Sequence, residues 1–286
     1  MEVLILGSKG NLGSQLVKIF SADKDYKVIA WDREEIDITD KELVFKKMKE
    51  LKPDIVINAA AYNAVDKCEE EKEFELAEKI NVEAVGYLVE ACLETSAVLV
   101  HYSSDYVFAG DKKEGYKEDD EPKPINKYGE TKLAGEEELI KKSGQGLKYY
   151  LIRTSKLFGP KAENEGAKPS FFDLMLDLAK KKKELDVVNE EVSSFTYTPD
   201  LARATKKLLE SEKGYGVYHI TNIGRATWYE AAVELFKILD KKIKINPVSG
   251  DKFPRPAKRP AYSVLINTKF DMQRGWEEAL REYLEK

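Results

Sequence analysis

Val3-Leu4-Ile5-Leu6-Gly7-Ser8-Lys9-Gly10-Asn11-Leu12-Gly13 passes from a short apolar run into three glycines spaced GxxGxxG and on into an amphipathic stretch. The run is too short for a helix, and Leu12 to Phe20 carries apolar residues at three- and four-residue intervals, so the order reads strand, turn, helix. Glycine is required where the chain turns sharply, where backbone approaches a pyrophosphate with no Cβ between, and where a helix lies close on a strand. The helix that follows offers free N–H groups and a partial positive charge to phosphate. Gly7, Gly10, Asn11, Leu12 and Gly13 are therefore candidate dinucleotide-binding residues. A tight strand-to-helix turn without a ligand is the plainer alternative, and the strand-turn-helix context argues against it.

The alternation continues outward. Lys27 to Trp31, Asp54 to Ala61, Val98 to Ser104 and Tyr149 to Thr154 read as strands, and Lys41 to Leu51, Lys79 to Thr95 and Lys132 to Lys142 as surface helices. Repeated strand-helix-strand units imply parallel strands joined by right-handed crossovers, so the expected fold class is α/β with a doubly wound, Rossmann-type parallel sheet. Residues 1–155 form the expected dinucleotide-binding domain, completed by part of 171–215, with 156–286 as a smaller, mainly substrate-binding C-terminal region. Phe158 to Pro169 reads as a loop over a site. Phe171 to Lys183, Trp228 to Leu239 and Glu277 to Leu284 read as helices and Gly216 to Thr221 as a strand.

Asp32 ends the second strand about twenty residues beyond the glycines, where an acidic residue meets the adenosine ribose hydroxyls; Arg33 beside it suits the extra phosphate of NADP(H). The choice between NADH and NADPH stays open.

Tyr128-Gly129-Glu130-Thr131-Lys132 is the only YxxxK in the chain and sets a phenol and an ammonium on one helical face. A nearby cation stabilises phenolate, so Lys132 is expected to lower the Tyr128 pKa toward working pH for proton exchange with a carbonyl or alcohol oxygen. Ser104 ends the fourth strand, where ligands of such folds gather, and its hydroxyl is suited to bonding a substrate carbonyl. Ser104, Tyr128 and Lys132 thus form a candidate catalytic set without metal.

Composition removes other classes. The 286 residues hold 47 Lys+Arg against 52 Asp+Glu, a net charge of −5 that provides no basic footprint for nucleic acid. Two cysteines form no disulfide framework and no zinc cluster, which fits a reducing cytoplasm. Met1 opens onto no signal-peptide pattern and no run of 18 apolar residues occurs, so neither export nor membrane spanning is expected.

At these residues the chain resembles the extended short-chain dehydrogenase/reductases and, within them, the dTDP-4-dehydrorhamnose reductase family. The likeness runs nearly end to end, through Asp37-Ile38, Asn58-Ala59-Ala60-Ala61-Tyr62, Val65-Asp66-Lys67, Ile80-Asn81-Val82, Ser104 to Phe108, Tyr128 to Glu136, Arg153-Thr154-Ser155, Tyr197 to Ala202 and Arg259 to Leu265. The resemblance implies hydride delivery from NADPH or NADH to the 4-keto group of a dTDP-linked 6-deoxy sugar. Tyr128 would give the proton, and Lys132 would also hold the nicotinamide ribose.

It further implies that Asp37, Ile38, Ala59, Ala60 and Ala61 line the cofactor cleft and that Asp105 and Tyr106 flank the sugar. Arg259 would belong to a closing segment near the diphosphate, within the Pro-rich stretch Phe253 to Arg259. Three substrate-facing positions depart from the family pattern. Asn63 stands for a common threonine, Lys156 for a common tryptophan, and Ser193-Ser194-Phe195-Thr196 for a usual GSPT, which leaves the sugar open. Some relatives bind metal through glutamates in the first helix, where this chain has Gln15, so no metal site is expected. A possible homodimer follows from the resemblance alone. A sibling epimerase, a reductase for another deoxyhexulose, and a non-catalytic subunit resembling the methionine adenosyltransferase β subunit are the competing readings.

Overall fold

A computed structural model describes residues 1–162 and 169–285. In chain order the strands are β1 Glu2–Leu6, β2 Lys27–Trp31, β3 Ile55–Asn58, β4 Val98–Ser104, β5 Tyr149–Thr154, β6 Leu157–Phe158, β7 Glu184–Val188, β8 Thr196–Tyr197, β9 Gly216–His219 and β10 Lys244–Val248. The α-helices are α1 Asn11–Ser21, α2 Lys41–Leu51, α3 Glu71–Glu78, α4 Ala84–Thr95, α5 Lys127–Ser143, α6 Phe171–Ala179, α7 Thr198–Leu209, α8 Trp228–Ile238 and α9 Trp276–Leu284.

Six strands form one parallel sheet in the order β2-β1-β3-β4-β5-β9. The crossover direction reverses between β1 and β3, which opens a crevice at their carboxyl ends. One face of the sheet buries α1 and α7 around Leu16, Phe20, Leu201 and Leu208, and the other buries α2 and α4 around Val44, Met48, Leu88 and Val89. Strands covered on both faces carry apolar residues throughout, which is why β1 and β3 are buried almost end to end.

A second cluster lies apart, built by α6, α8 and α9 over the short β7–β10 pair, with Phe158, Phe172, Phe195, Tyr197 and Trp276 in its interior. The β6–β8 pair carries the chain from β5 into this lobe.

Several sequence expectations needed correction. The helix expected over Lys79 to Thr95 starts earlier, as α3, and passes through a π-turn at Lys79–Glu83 before α4. Phe171 to Lys183 ends as a helix at Ala179, because Glu184–Val188 is needed as a strand against β10. The strand expected over Asp54 to Ala61 runs only from Ile55 to Asn58, and Ala59 to Ala61 leave it as irregular chain. α7, β7 and β10 were not anticipated. α7 packs on α1 and β9 completes the large sheet, so the chain returns to the first layer after building part of the second lobe. The centre of the loop expected over Phe158 to Pro169 lies outside the described residues.

Candidate active site

At the end of β1 the chain turns through Gly7 at φ +70°, a conformation costly for any side chain, and a Cβ there would stand 2.7 Å from the Ala60 nitrogen. A Cβ on Gly13 would stand 2.0 Å from the Gly7 carbonyl oxygen. The glycines therefore let α1 sit against the turn and the turn sit against β3. Gly10 caps α1 without a side-chain bond to the first N–H groups of the helix. This uncapped helix end and its Cβ-free cradle fit a pyrophosphate.

Asp32 sits one residue past β2 and is tied to the turn: its carboxylate accepts from the Lys9 backbone N–H at 2.9 Å and from the Arg33 N–H at 2.9 Å. Arg33 is exposed beside it. Asn11 accepts from the Ala162 N–H at 3.2 Å. Leu12 is buried in the sheet core rather than open to the crevice. Asp37 closes a local turn on Thr39, accepting from its N–H at 2.9 Å and its hydroxyl at 2.7 Å, while Ile38 is buried in the core beneath α2. Ala59, Ala60 and Ala61 follow β3, with Ala59 and Ala60 packed against the Gly7 turn.

Tyr128 and Lys132 occupy the first turns of α5. That helix begins where it does because Asn126 accepts from the Gly129 N–H at 2.8 Å. Both side chains are buried, Tyr128 at 8% exposure and Lys132 at 2%. The Tyr128 hydroxyl donates to Asn63 Oδ1 at 3.3 Å, also engages Ser104, and its ring meets Tyr106 edge to face at 5.8 Å. The π-turn brings Asn81 into the same wall. Its amide bonds Tyr62 through both backbone groups and donates to Thr131 at 3.0 Å, locking the Asn63 segment to α5. Sequence reasoning noted Asn81 only as part of a motif. A buried polar residue inside a helical pattern was the available signal.

The expected lowering of the Tyr128 pKa is corrected. Burial, foremost, pushes the phenol well above its ordinary value, the charges of Asp105 and Cys68 add to this, and the bond to Ser104 acts against it. The Lys132 ammonium is turned to the Tyr102 carbonyl at 2.8 Å, and burial lowers it to about 8 against the opposing pull of Glu136. Held protonated, Tyr128 is a proton donor, the form that reduction of a carbonyl requires.

The sugar-facing residues divide. Asp105 is buried behind Ser104, and Tyr106 is half-buried against Tyr128. Lys156 adopts φ +38° and places its ammonium 3.6 Å from the centre of the Trp228 ring and 5.0 Å from that of Phe195, donating to the Glu191 carbonyl at 3.3 Å. Where the family pattern has a tryptophan, a cation is therefore held in place by aromatic faces and a backbone acceptor. Phe195, at 1% exposure among Phe172, Trp228 and Trp276, is core, and reaches the site only through Lys156.

Across the crevice mouth a 420 Å³ cavity is walled by Glu190, Glu191, Phe253, Arg255 and Arg259. Arg259 bridges to Asp66 at 2.7 Å, joining the Pro-rich segment to the first lobe, and Arg255 pairs with Glu191. Among the described residues no group of three or more His, Cys, Asp or Glu is arranged to hold a metal ion, and no helix is long and apolar enough to cross a membrane.

A Rossmann fold with a glycine turn, carrying Ser104 at the end of β4 beside the buried Tyr128 and Lys132 of α5, defines an extended short-chain dehydrogenase/reductase. The family model described as "RmlD substrate binding domain" matches residues 1–286. A dTDP-4-dehydrorhamnose reductase of Aggregatibacter actinomycetemcomitans is 36% identical, over 98% of this chain and 97% of that one. A crystal structure of a dTDP-4-dehydrorhamnose reductase from Clostridium acetobutylicum superimposes with a TM-score of 0.90 at 40% identity, covering 100% and 99% of the two chains. That of the Bacillus anthracis dTDP-4-dehydrorhamnose reductase in complex with NADP gives 0.90 at 35%, covering 99% and 98%. The chain belongs to the dTDP-4-dehydrorhamnose reductase family and is an NAD(P)-dependent oxidoreductase.

Proposed function

We propose that the protein reduces the 4-keto group of a dTDP-linked 6-deoxy sugar, dTDP-4-dehydrorhamnose or a close relative, in polysaccharide biosynthesis. The observation that carries this is the buried Tyr128 phenol, kept protonated beside Ser104 in a chain of this family. Bound in the crevice, NADPH or NADH supplies the hydride. The chain's own residues do the rest. The glycine turn and the start of α1 take the pyrophosphate, Asp32 and Arg33 the adenosine ribose and any phosphate on it, and Lys132 the nicotinamide ribose. Tyr128 gives its proton to the forming alkoxide. Tyr106, Asn63 and Lys156 bound the sugar, and Arg255 and Arg259 face the diphosphate.

Residues 1–155, with α7 and β9, serve the cofactor, and the second lobe serves the sugar nucleotide. The same reading has the protein work in the cytoplasm, assembled as a homodimer, which light scattering checks.

Incubation with dTDP-4-dehydrorhamnose and each reduced cofactor tests the reading. Loss of reduced-cofactor absorbance in step with alcohol formation is the expected result. Interconversion of the sugar without that loss makes the protein an epimerase. Cofactor binding without turnover, together with co-purification of a synthetase, makes it a regulatory subunit.

A further inference from the structure

The Asp105 carboxyl has no part in the chemistry described so far. It is 2% exposed at the end of β4, and two hydroxyls engage it: Ser104 Oγ at 3.1 Å from Oδ1 and Ser263 Oγ at 2.6 Å from Oδ2. Ser104 has a single hydrogen. While Asp105 is charged that hydrogen is spent on Oδ1, the serine oxygen accepts from the Tyr106 N–H at 3.2 Å, and the Tyr128 hydrogen lies on Asn63, so the serine has no hydrogen for the phenol. When Asp105 is protonated the direction reverses: the carboxyl donates to Ser104, and the serine hydrogen is released toward Tyr128. A phenol that has given its proton to an alkoxide stands as an anion where burial penalises charge, so it must be refilled before the next turnover.

We propose that Asp105 is a positioning residue that aims the Ser104 hydroxyl and returns a proton to Tyr128 through it, with Lys156 setting the charge of Asp105. The inference rests on the ketoreductase reading. The transfers balance. Hydride from the reduced nicotinamide adds to the carbonyl carbon, the carbon–oxygen π pair becomes an alkoxide, and the alkoxide takes the Tyr128 proton. The Ser104 O–H bond breaks as its proton passes to the phenolate, and the serine oxygen takes the proton of the Asp105 carboxyl. The negative charge delivered with the hydride comes to rest on Asp105, beside the Lys156 ammonium, and solvent reprotonates it when product leaves.

The surroundings suit a group that changes charge. Burial, foremost, raises Asp105, while the Ser263 hydroxyl, Lys156 and Ser104 stabilise its ionised form. Burial, foremost, lowers Lys156 to about 7, with Glu191 and Asp105 opposing and Arg255 assisting. Arg255 is paired with Glu191, so it is not free to replace Lys156 as the partner of Asp105. Arg259 faces Tyr106 from the Pro-rich segment and is itself held by Asp66, and Cys68 lies on the far side of Tyr128.

Two measurements on the intact chain test this. An infrared pH titration without substrate should show the band of a buried neutral carboxyl that is absent from Asp105→Asn and whose midpoint rises by about one pH unit in Lys156→Met. In steady-state reduction of dTDP-4-dehydrorhamnose, Asp105→Asn should lose at least about tenfold in kcat while KM stays within about twofold. The kcat pH limb should move up in Lys156→Met, and in the Asp105→Asn background Lys156→Met should leave the pH dependence of kcat unmoved, whatever it does to KM.

A missing band, a band that survives Asp105→Asn, an unmoved limb in Lys156→Met or a normal kcat in Asp105→Asn overturns the proposal. Should Asp105→Asn fail to fold, Ser263→Ala removes the donor to Oδ2 and must also raise the midpoint; an unchanged midpoint overturns it equally. A wild-type chain that consumes no reduced cofactor overturns the ketoreductase reading, and the infrared arm then judges the coupling of Asp105 to Lys156 on its own.

Discussion

Tyr128 shows how a residue's role depends on its neighbours more than on its motif. The spacing to Lys132 promised a cation over the phenol, but the ammonium is engaged by the Tyr102 carbonyl and burial dominates. The phenol stays protonated, as a donor must. Tyr128→Phe should therefore lower turnover by about 10² to 10⁴ while cofactor affinity, followed by quenching of cofactor fluorescence, stays unchanged; near-normal turnover removes Tyr128 from the chemistry. Lys156 makes the same point from the other side. Its position past β5 was legible as substrate-facing from the family likeness, but its contact with Trp228, seventy-odd residues on, was not.

Elements carry the next layer of constraint. Gly13 lies so close to the Gly7 carbonyl that a methyl group has no room, and the obstacle is backbone rather than a movable side chain. Gly13→Ala should destabilise the fold by a few kcal/mol, about 1 to 3 on the scale of overpacked sites, and abolish cofactor binding, both readable from melts with and without cofactor.

α5 is tied to β5 by a buried ion pair, Arg153 to Glu136 at 2.6 Å, with exposures of 3% and 0%. Replacing the acid alone strands the guanidinium in the interior, so Glu136→Gln should cost about 3–5 kcal/mol in urea unfolding. A double replacement by apolar residues of matching volume should recover much of that loss. The π-turn at Lys79–Glu83 also belongs to this scale. Helical periodicity ran straight through it, and only the packing of Asn81 against Tyr62 and Thr131 reveals why the extra residue is accommodated.

The whole molecule is two packed lobes with the crevice between them, and its acid sensitivity follows from its two histidines. Burial, foremost, lowers both: His219 falls to about 4, with Arg153 adding to the shift and Glu118 opposing, and His101 lies well below its ordinary 6.5, with Lys132 adding. A base whose folded pKa is depressed stabilises the fold above its unfolded pKa, because only the unfolded chain takes up the proton. That stability is lost as pH falls from about 6.5 toward the folded values. The unfolding free energy from urea titrations should accordingly decline below pH 6.5 with a slope approaching about 1.4 kcal/mol per pH unit for each histidine, lowering the midpoints, and His219→Gln should flatten the decline. Equal midpoints at pH 7 and pH 5 would falsify this.

The doubly wound sheet, the glycine turn, Asp32 beside it and the Tyr128/Lys132 helix were all determined by the sequence itself, because each is a local pattern. Apolar alternation, glycine where no Cβ fits, and helical spacing act over a few residues, and the free energy that selects them is already present in the segment. The tertiary structure decided what rests on contacts distant along the chain: the addition of β9 to the large sheet, the burial of Phe195, the capture of Lys156 by Trp228, and the upward shifts of the Tyr128 phenol and the Asp105 carboxyl. Burial and electrostatic environment arise only once separate segments exclude water together, and no stretch of sequence contains that information alone.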